Sequence, residues 1–140
     1  MKKRAFELDE IHNIAEDIIQ HAQQKLIAFQ GDLGSGKTTL IKALIQAIGI
    51  KEQGSSPSFS LINVYQNEEN RVYHCDLYRL ESYEEALDIG LEDYLADEES
   101  WCFIEWPEVV KFLLPRPYHL INLSIDENNR HHIEMDLVDS

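Results

Sequence analysis

The chain has 140 residues, enough to bury one hydrophobic core and too few for two. Apolar residues make up 44% and charged residues 27% of it, the balance of a soluble globular protein. Its 12 basic and 26 acidic residues leave a formal charge of −14. That excess disfavours a direct grip on nucleic acid as the main function, because such a grip needs a basic patch to release phosphate counterions. It suits a solvated acidic surface, or one on which basic proteins dock. No apolar run approaches the roughly 20 residues that cross a bilayer. Met1-Lys2-Lys3-Arg4 is basic, but Glu7, Asp9 and Glu10 interrupt what would be the apolar part of a leader. A single cytoplasmic domain spanning residues 1–140 is expected, with no membrane association.

In chain order, Lys3 to Leu8 reads as a short edge strand. Asp9 is placed to cap a helix, in which Ile11, Ile14, Ala15, Ile18, Ile19 and Ala22 recur with helical period. Lys25 to Gln30 is an apolar run of strand length. It leads into Gly31-Asp32-Leu33-Gly34-Ser35-Gly36-Lys37-Thr38, a full match to the phosphate-loop pattern G-x-x-x-x-G-K-[ST]. Leu40, Ile41, Leu44, Ile45 and Ile48 then share one helix face, and Gly49 ends it. Strand, glycine loop and helix together are the context this motif requires. Glycines let the backbone turn several N–H groups onto one anion at a helix N-terminus. Lys37 adds a mobile charge for the β- and γ-phosphates, and the Thr38 hydroxyl is a ligand for Mg²⁺. The loop therefore predicts a nucleoside triphosphate site.

Residues 51 to 58 form a polar loop. Phe59 to Tyr65 and Val72 to Tyr78, joined by Asn67-Glu68-Glu69-Asn70, read as an antiparallel hairpin. Ser82 and Glu85 have capping-box spacing for a helix to about Leu87, and Leu91, Tyr94 and Leu95 suggest a further turn after Gly90. Trp101-Cys102-Phe103-Ile104 is a buried-type strand ending in Glu105, and Trp106-Pro107 stops it. Val109 to Leu114 reads as a short helix. Ile121, Leu123 and Ile125 alternate, as do Ile133, Met135 and Leu137, around the turn Asp126-Glu127-Asn128-Asn129, which makes a second hairpin. The sum is an α/β fold of the P-loop NTPase type: a parallel central sheet with antiparallel hairpin additions and flanking helices.

Cys75 and Cys102 sit inside strands and read as small buried hydrophobes, with no disulfides expected. His131 and His132 are neighbours on a strand, point to opposite faces and cannot converge on one ion.

Hydrolysis needs an acid near the Mg²⁺, at the end of a buried strand beside the loop. Two positions fit equally by spacing, Glu105 and Asp76. Ser58, before a strand, offers a hydroxyl for Mg²⁺ or the γ-phosphate.

Gly31 to Thr39, Ser56-Pro57-Ser58-Phe59, His74-Cys75-Asp76-Leu77-Tyr78-Arg79, Asp88 to Tyr94 and Ile104-Glu105-Trp106-Pro107 resemble, in order and spacing, the TsaE (YjeE) family. Its members are bacterial ATPases needed to make threonylcarbamoyladenosine (t6A) in tRNA. The phosphate loop is generic, whereas the Asp-Leu-Tyr-Arg and Glu-Trp-Pro segments are specific. The resemblance implies work for both acids: Thr38 and Glu105 hold Mg²⁺, while Lys37 and Asp76 act at the γ-phosphate. It implies ATP contacts from Gly34, Ser35, Gly36, Lys37, Thr38 and Thr39, and places Glu108 and Arg130 at the nucleotide's border. Ser58 stands where the family usually carries threonine, keeping the hydroxyl without the methyl that stiffens its rotamer. The implied partners are the TsaB and TsaD proteins, with tRNA reached through them and hydrolysis slow in their absence.

Two other functions are weighed beside this one. A small-molecule kinase commonly closes an arginine-bearing lid, but only Arg4, Arg71, Arg79, Arg116 and Arg130 exist, with no cluster after Glu105. A nucleotide-gated binding module without useful turnover is the other. No Asn-Lys-x-Asp segment is present to read guanine.

Overall fold

A computed structural model of the chain describes residues 3–32, 34–51 and 61–139. Its strands are β1 (Arg4–Phe6), β2 (Leu26–Gln30), β3 (Ile62–Gln66), β4 (Arg71–Asp76), β5 (Trp101–Glu105), β6 (Tyr118–Ile125) and β7 (His131–Val138). They form one sheet in the order β1-β7-β6-β2-β5-β4-β3. The centre is parallel: β2 lies between β6 and β5, and β5 pairs with β4. Antiparallel strands finish both edges, β3 on β4 at one side and β7, then β1, beside β6 at the other. The expected fold class is the one observed. From β2 the chain runs out to the β3 edge and returns to β5, then crosses to β6 on the opposite side. The carboxyl end of β2 is therefore a topological switch point, where open α/β sheets bind ligands.

Helices α1 (Ile11–His21) and α2 (Lys37–Ile48) cover one face of the sheet. Ile14, Ile18, Leu40, Ile41 and Leu44 are buried there against Ile27, Phe29 and Phe103, each such side chain contributing about 1.5–3 kcal/mol. Phe29 and Phe103 meet edge to face at 5.7 Å. The other face carries α3 (Tyr83–Asp88), α4 (Leu91–Leu95), Val110 and Leu114, over Ala28, Tyr73, Cys75, Cys102 and Ile104. Gly49 adopts a left-handed conformation (φ 107°), which turns the Ile50 N–H back to the Ile45 carbonyl and buries Ile50.

Local details differ from expectation in three places. The first helix opens with a 3₁₀ turn, Leu8–Glu10, and Glu10 Oε1 accepts the Glu7 N–H at 2.8 Å, so Asp9 lies inside the entry instead of capping it. Ser82 is the residue before α3, but its side chain makes no capping hydrogen bond. Val109 to Leu114 is not one helix: Pro107–Val109 and Lys111–Leu113 are separate 3₁₀ turns, and their close i→i+3 bonds fit the short span between Pro107 and Pro115. Of the strand expected from Phe59, residues 59 and 60 lie outside the described residues.

Both cysteines are free and buried. A hydrogen bond to Cys102, and burial, push the Cys75 thiol well above its ordinary value, which makes it unreactive. His131 stacks near Phe6 at 5.4 Å while His132 Nε2 bonds Asp126 Oδ2 at 2.8 Å, so the two rings diverge. Among the described residues no helix is long and apolar enough to cross a membrane.

Candidate nucleotide site

The loop from Gly31 to Thr38 leaves the carboxyl end of β2 and enters α2 at Lys37. A Cβ on Gly31 would sit 2.5 Å from the Leu123 carbonyl oxygen and 2.6 Å from Ser35 Oγ, so only glycine fits under the passing β6 backbone. Gly34 and Gly36 need glycine for another reason. Their φ angles are 85° and 102°, and the space in front of each is open. Added Cβ atoms there would fill the cradle, not strike the protein. The first helix-type bond runs from the Leu40 N–H to the Gly36 carbonyl. The N–H groups of Lys37, Thr38 and Thr39 precede it and lack helical partners, as at any helix start. Ser35 Oγ is buried without a partner among the described residues.

Lys37 is folded back over this loop. Its ammonium donates to the Gly31 carbonyl and lies 3.3 Å from the centroid of the Trp106 ring. Burial holds its pKa below the ordinary lysine value, while the charges of Glu105, Glu108, Asp76 and Asp32 pull it upward without cancelling the effect. Trp106 reaches the ammonium because its backbone is left-handed (φ 59°, ψ 60°), a conformation that costs a bulky residue about 1–3 kcal/mol. Tyr78 packs against Trp106, with ring centroids 5.0 Å apart.

The two acids arrive side by side. Asp76 and Glu105 end β4 and β5 in register, and the Leu77 N–H locks the strand ends by donating to the Glu105 carbonyl at 3.1 Å. Glu105 is buried, and Thr38 Oγ1 donates to its two oxygens at 3.1 and 3.3 Å. His74 Nε2 lies 2.6 Å from Glu105 Oε2. Asp76 is exposed, with Oδ1 accepting the Tyr78 N–H at 3.1 Å. Gly34, Gly36, Lys37, Thr38, Thr39, Asp76, Tyr78, Glu105 and Trp106 together line a cavity of about 290 Å³.

Most of the residues expected at a site are thus gathered around one opening, with Ser35 buried in the loop behind it. Glu108 is exposed on the 3₁₀ turn beyond Trp106, outside the cavity lining but near enough for its charge to act on Lys37. Arg130 stands exposed beyond the last turn, its backbone N–H bound to Asp126 Oδ1 at 3.0 Å and its side chain outside the cavity lining. Ser58 lies outside the described residues. His74, Tyr78 and Trp106 had no role assigned from sequence. His74 carries a signal that strand periodicity supplies: two residues before Asp76, it must share that residue's face. Trp106 carries none, since its contact depends on a backbone conformation that residues before proline seldom adopt.

Among the described residues no group of three or more His, Cys, Asp or Glu side chains is arranged as a metal cage. One hydroxyl and one carboxylate, Thr38 and Glu105 on the lining of that cavity, are instead hard oxygen donors of the kind that suit Mg²⁺. The fold and the loop define a protein of the P-loop NTPase class. A family model described as "Threonylcarbamoyl adenosine biosynthesis protein TsaE" matches residues 6–133, and the chain belongs to that family. It is 38% identical over 106 residues to the tRNA threonylcarbamoyladenosine biosynthesis protein TsaE of Rickettsia bellii, covering 75% of this chain and 72% of that one. The protein of the same name from Haemophilus influenzae is 36% identical over 111 residues, covering 79% and 70%. A crystal structure of Bacillus subtilis YdiB superposes with a TM-score of 0.75 at 24% identity, over 99% of this chain and 87% of that one, which shows the shared fold.

Proposed function

We propose that this chain is the ATP-binding and ATP-hydrolysing subunit that t6A formation in tRNA requires, working with TsaB and TsaD. The observation that carries the reading is the convergence of Lys37, Thr38, Asp76 and Glu105 on one cavity at the start of α2. The triphosphate lies across the N–H groups of the loop, and Lys37 leaves the Gly31 carbonyl and the Trp106 ring to meet the β- and γ-phosphates. Thr38 and Glu105 would hold Mg²⁺, which when bound would neutralise phosphate charge. Asp76, exposed at the rim, orients the attacking water and accepts its proton. Glu108 and Arg130 border the nucleotide, and Ser58 supplies a further hydroxyl.

Lys37 is the one cationic side chain among the described residues that line the cavity. A lone cation supports a slow intrinsic reaction that a partner accelerates by completing the site. The charge of −14 supports protein partners over direct tRNA contact, and a part in tRNA modification supports a cytoplasmic location. The test is restoration of t6A in bacteria depleted of their own TsaE. This chain should restore the modification and a Glu105→Ala variant should not; normal t6A with the variant would contradict the role of hydrolysis.

A further inference from the structure

Glu105 is held by two side chains among the described residues, and they differ in kind. Thr38 is exposed at the mouth of the cavity, and its hydroxyl is the group that a cation would engage. His74 is buried, 7% exposed, and bonds Glu105 Oε2 from inside the protein at 2.6 Å. The register explains the aim of the ring: His74 lies opposite Phe103, one face-sharing pair before the Asp76–Glu105 pair, so its ring reaches along β5 to the carboxylate. Without it, nothing else among the described side chains fixes the rotation of the Glu105 carboxylate once Thr38 turns to a cation. On the other side, Asn63 of β3 stands opposite His74 in the ladder, with a buried Oδ1 that has no partner among the described residues.

We propose that His74 is a positioning residue of the nucleotide site: it orients the Glu105 carboxylate, so that an incoming divalent cation meets a preset oxygen pair with Thr38. Side chains that orient a ligand from behind typically change metal affinity by about 10–100-fold when removed. This inference rests on the nucleotide reading above, and it adds a residue which that reading does not need.

The experiment is equilibrium binding of a fluorescent ATP analogue to the full chain, in EDTA and across a Mg²⁺ titration, for the unmodified protein, His74→Gln and His74→Ala. Glutamine places an N–H near the position of His Nε2, while alanine removes it. The expected result is a Mg²⁺ midpoint raised about 10-fold or more in His74→Ala, with affinity in EDTA unchanged. His74→Gln should recover most of the loss. The proposal is overturned if His74→Ala keeps the Mg²⁺ midpoint of the unmodified protein. It is equally overturned if His74→Ala loses affinity in EDTA and in Mg²⁺ alike, or if a folded His74→Gln behaves as His74→Ala. Should His74→Ala not fold, the glutamine variant decides alone: a retained midpoint supports the hydrogen bond, and a lost one contradicts it. If the unmodified protein itself shows no Mg²⁺-dependent nucleotide binding, the nucleotide reading fails and takes this inference with it, a result distinct from all the others.

Discussion

Asp76 and Glu105 are paired across two parallel strands, yet one faces solvent and the other is buried between Thr38 and His74. Equal spacing in sequence thus delivers two acids with different chemistry. Asp76→Ala should leave nucleotide affinity within a few-fold and lower the hydrolysis rate by about 10² or more, the usual contribution of a positioned acid–base group. Glu105→Ala should abolish the Mg²⁺ dependence of binding as well. It should also destabilise the fold by about 1–3 kcal/mol, because His74 is left buried without its partner. Nucleotide titrations and thermal unfolding of the two variants separate the roles.

Lys37 gives function and stability opposite signs. Burial depresses its pKa, so the charged ammonium is less favourable in the folded chain than in the unfolded one. The sign follows: that penalty is present at neutral pH, and it fades as pH rises from the depressed folded value to the ordinary lysine value. Lys37→Met should therefore abolish nucleotide binding while leaving the unfolding midpoint unchanged or higher. Calorimetric unfolding beside nucleotide titration checks both halves.

Gly31 and Gly36 predict different failures. In Gly31→Ala the new methyl meets the backbone carbonyl of Leu123, which belongs to a paired strand and cannot rotate away, so a loss of about 1–3 kcal/mol in stability is expected. In Gly36→Ala nothing is struck. The strained φ costs about 1–2 kcal/mol, and the methyl projects into the open cradle. Nucleotide affinity should fall far more in Gly36→Ala than its stability loss accounts for. Chemical denaturation and binding measured on both variants test the contrast.

How much of this was legible beforehand depends on the range of the interaction. Alternation and helical period are local, so β2, α1, α2 and the β6–β7 hairpin follow from the order of residues alone. The placement of β5 between β2 and β4 is not local, and neither is the choice between Asp76 and Glu105, since both depend on which strands become neighbours. His74 was half legible: its face follows from period two, but its partner 31 residues away does not. Trp106 was not legible, because a bulky residue before proline is expected to be extended. The failed Ser82 cap shows the converse, a correct local pattern whose hydrogen bond the observed geometry leaves unmade.

The tip of the last hairpin should respond to acid. The His132 ring, with the N–H groups of Arg130 and Asn128, holds the Asp126 carboxyl down to about 2. A depressed carboxyl stabilises the turn above its ordinary value, near 4, and that contribution is lost as pH falls toward about 2. A carboxyl-carbon NMR titration should place the Asp126 midpoint at about 2, well below the ordinary aspartate value. An Asp126 midpoint in the ordinary range would contradict the turn geometry.

The central claim is that Lys37, Thr38, Asp76 and Glu105 form an ATPase site that partner proteins drive. ATP hydrolysis measured in Mg²⁺, with and without TsaB and TsaD, tests it most directly. The account predicts slow turnover by the chain alone, a marked rise when the pair is added, and no rise with Asp76→Ala. Turnover unchanged by the pair, with no complex formed, would contradict it.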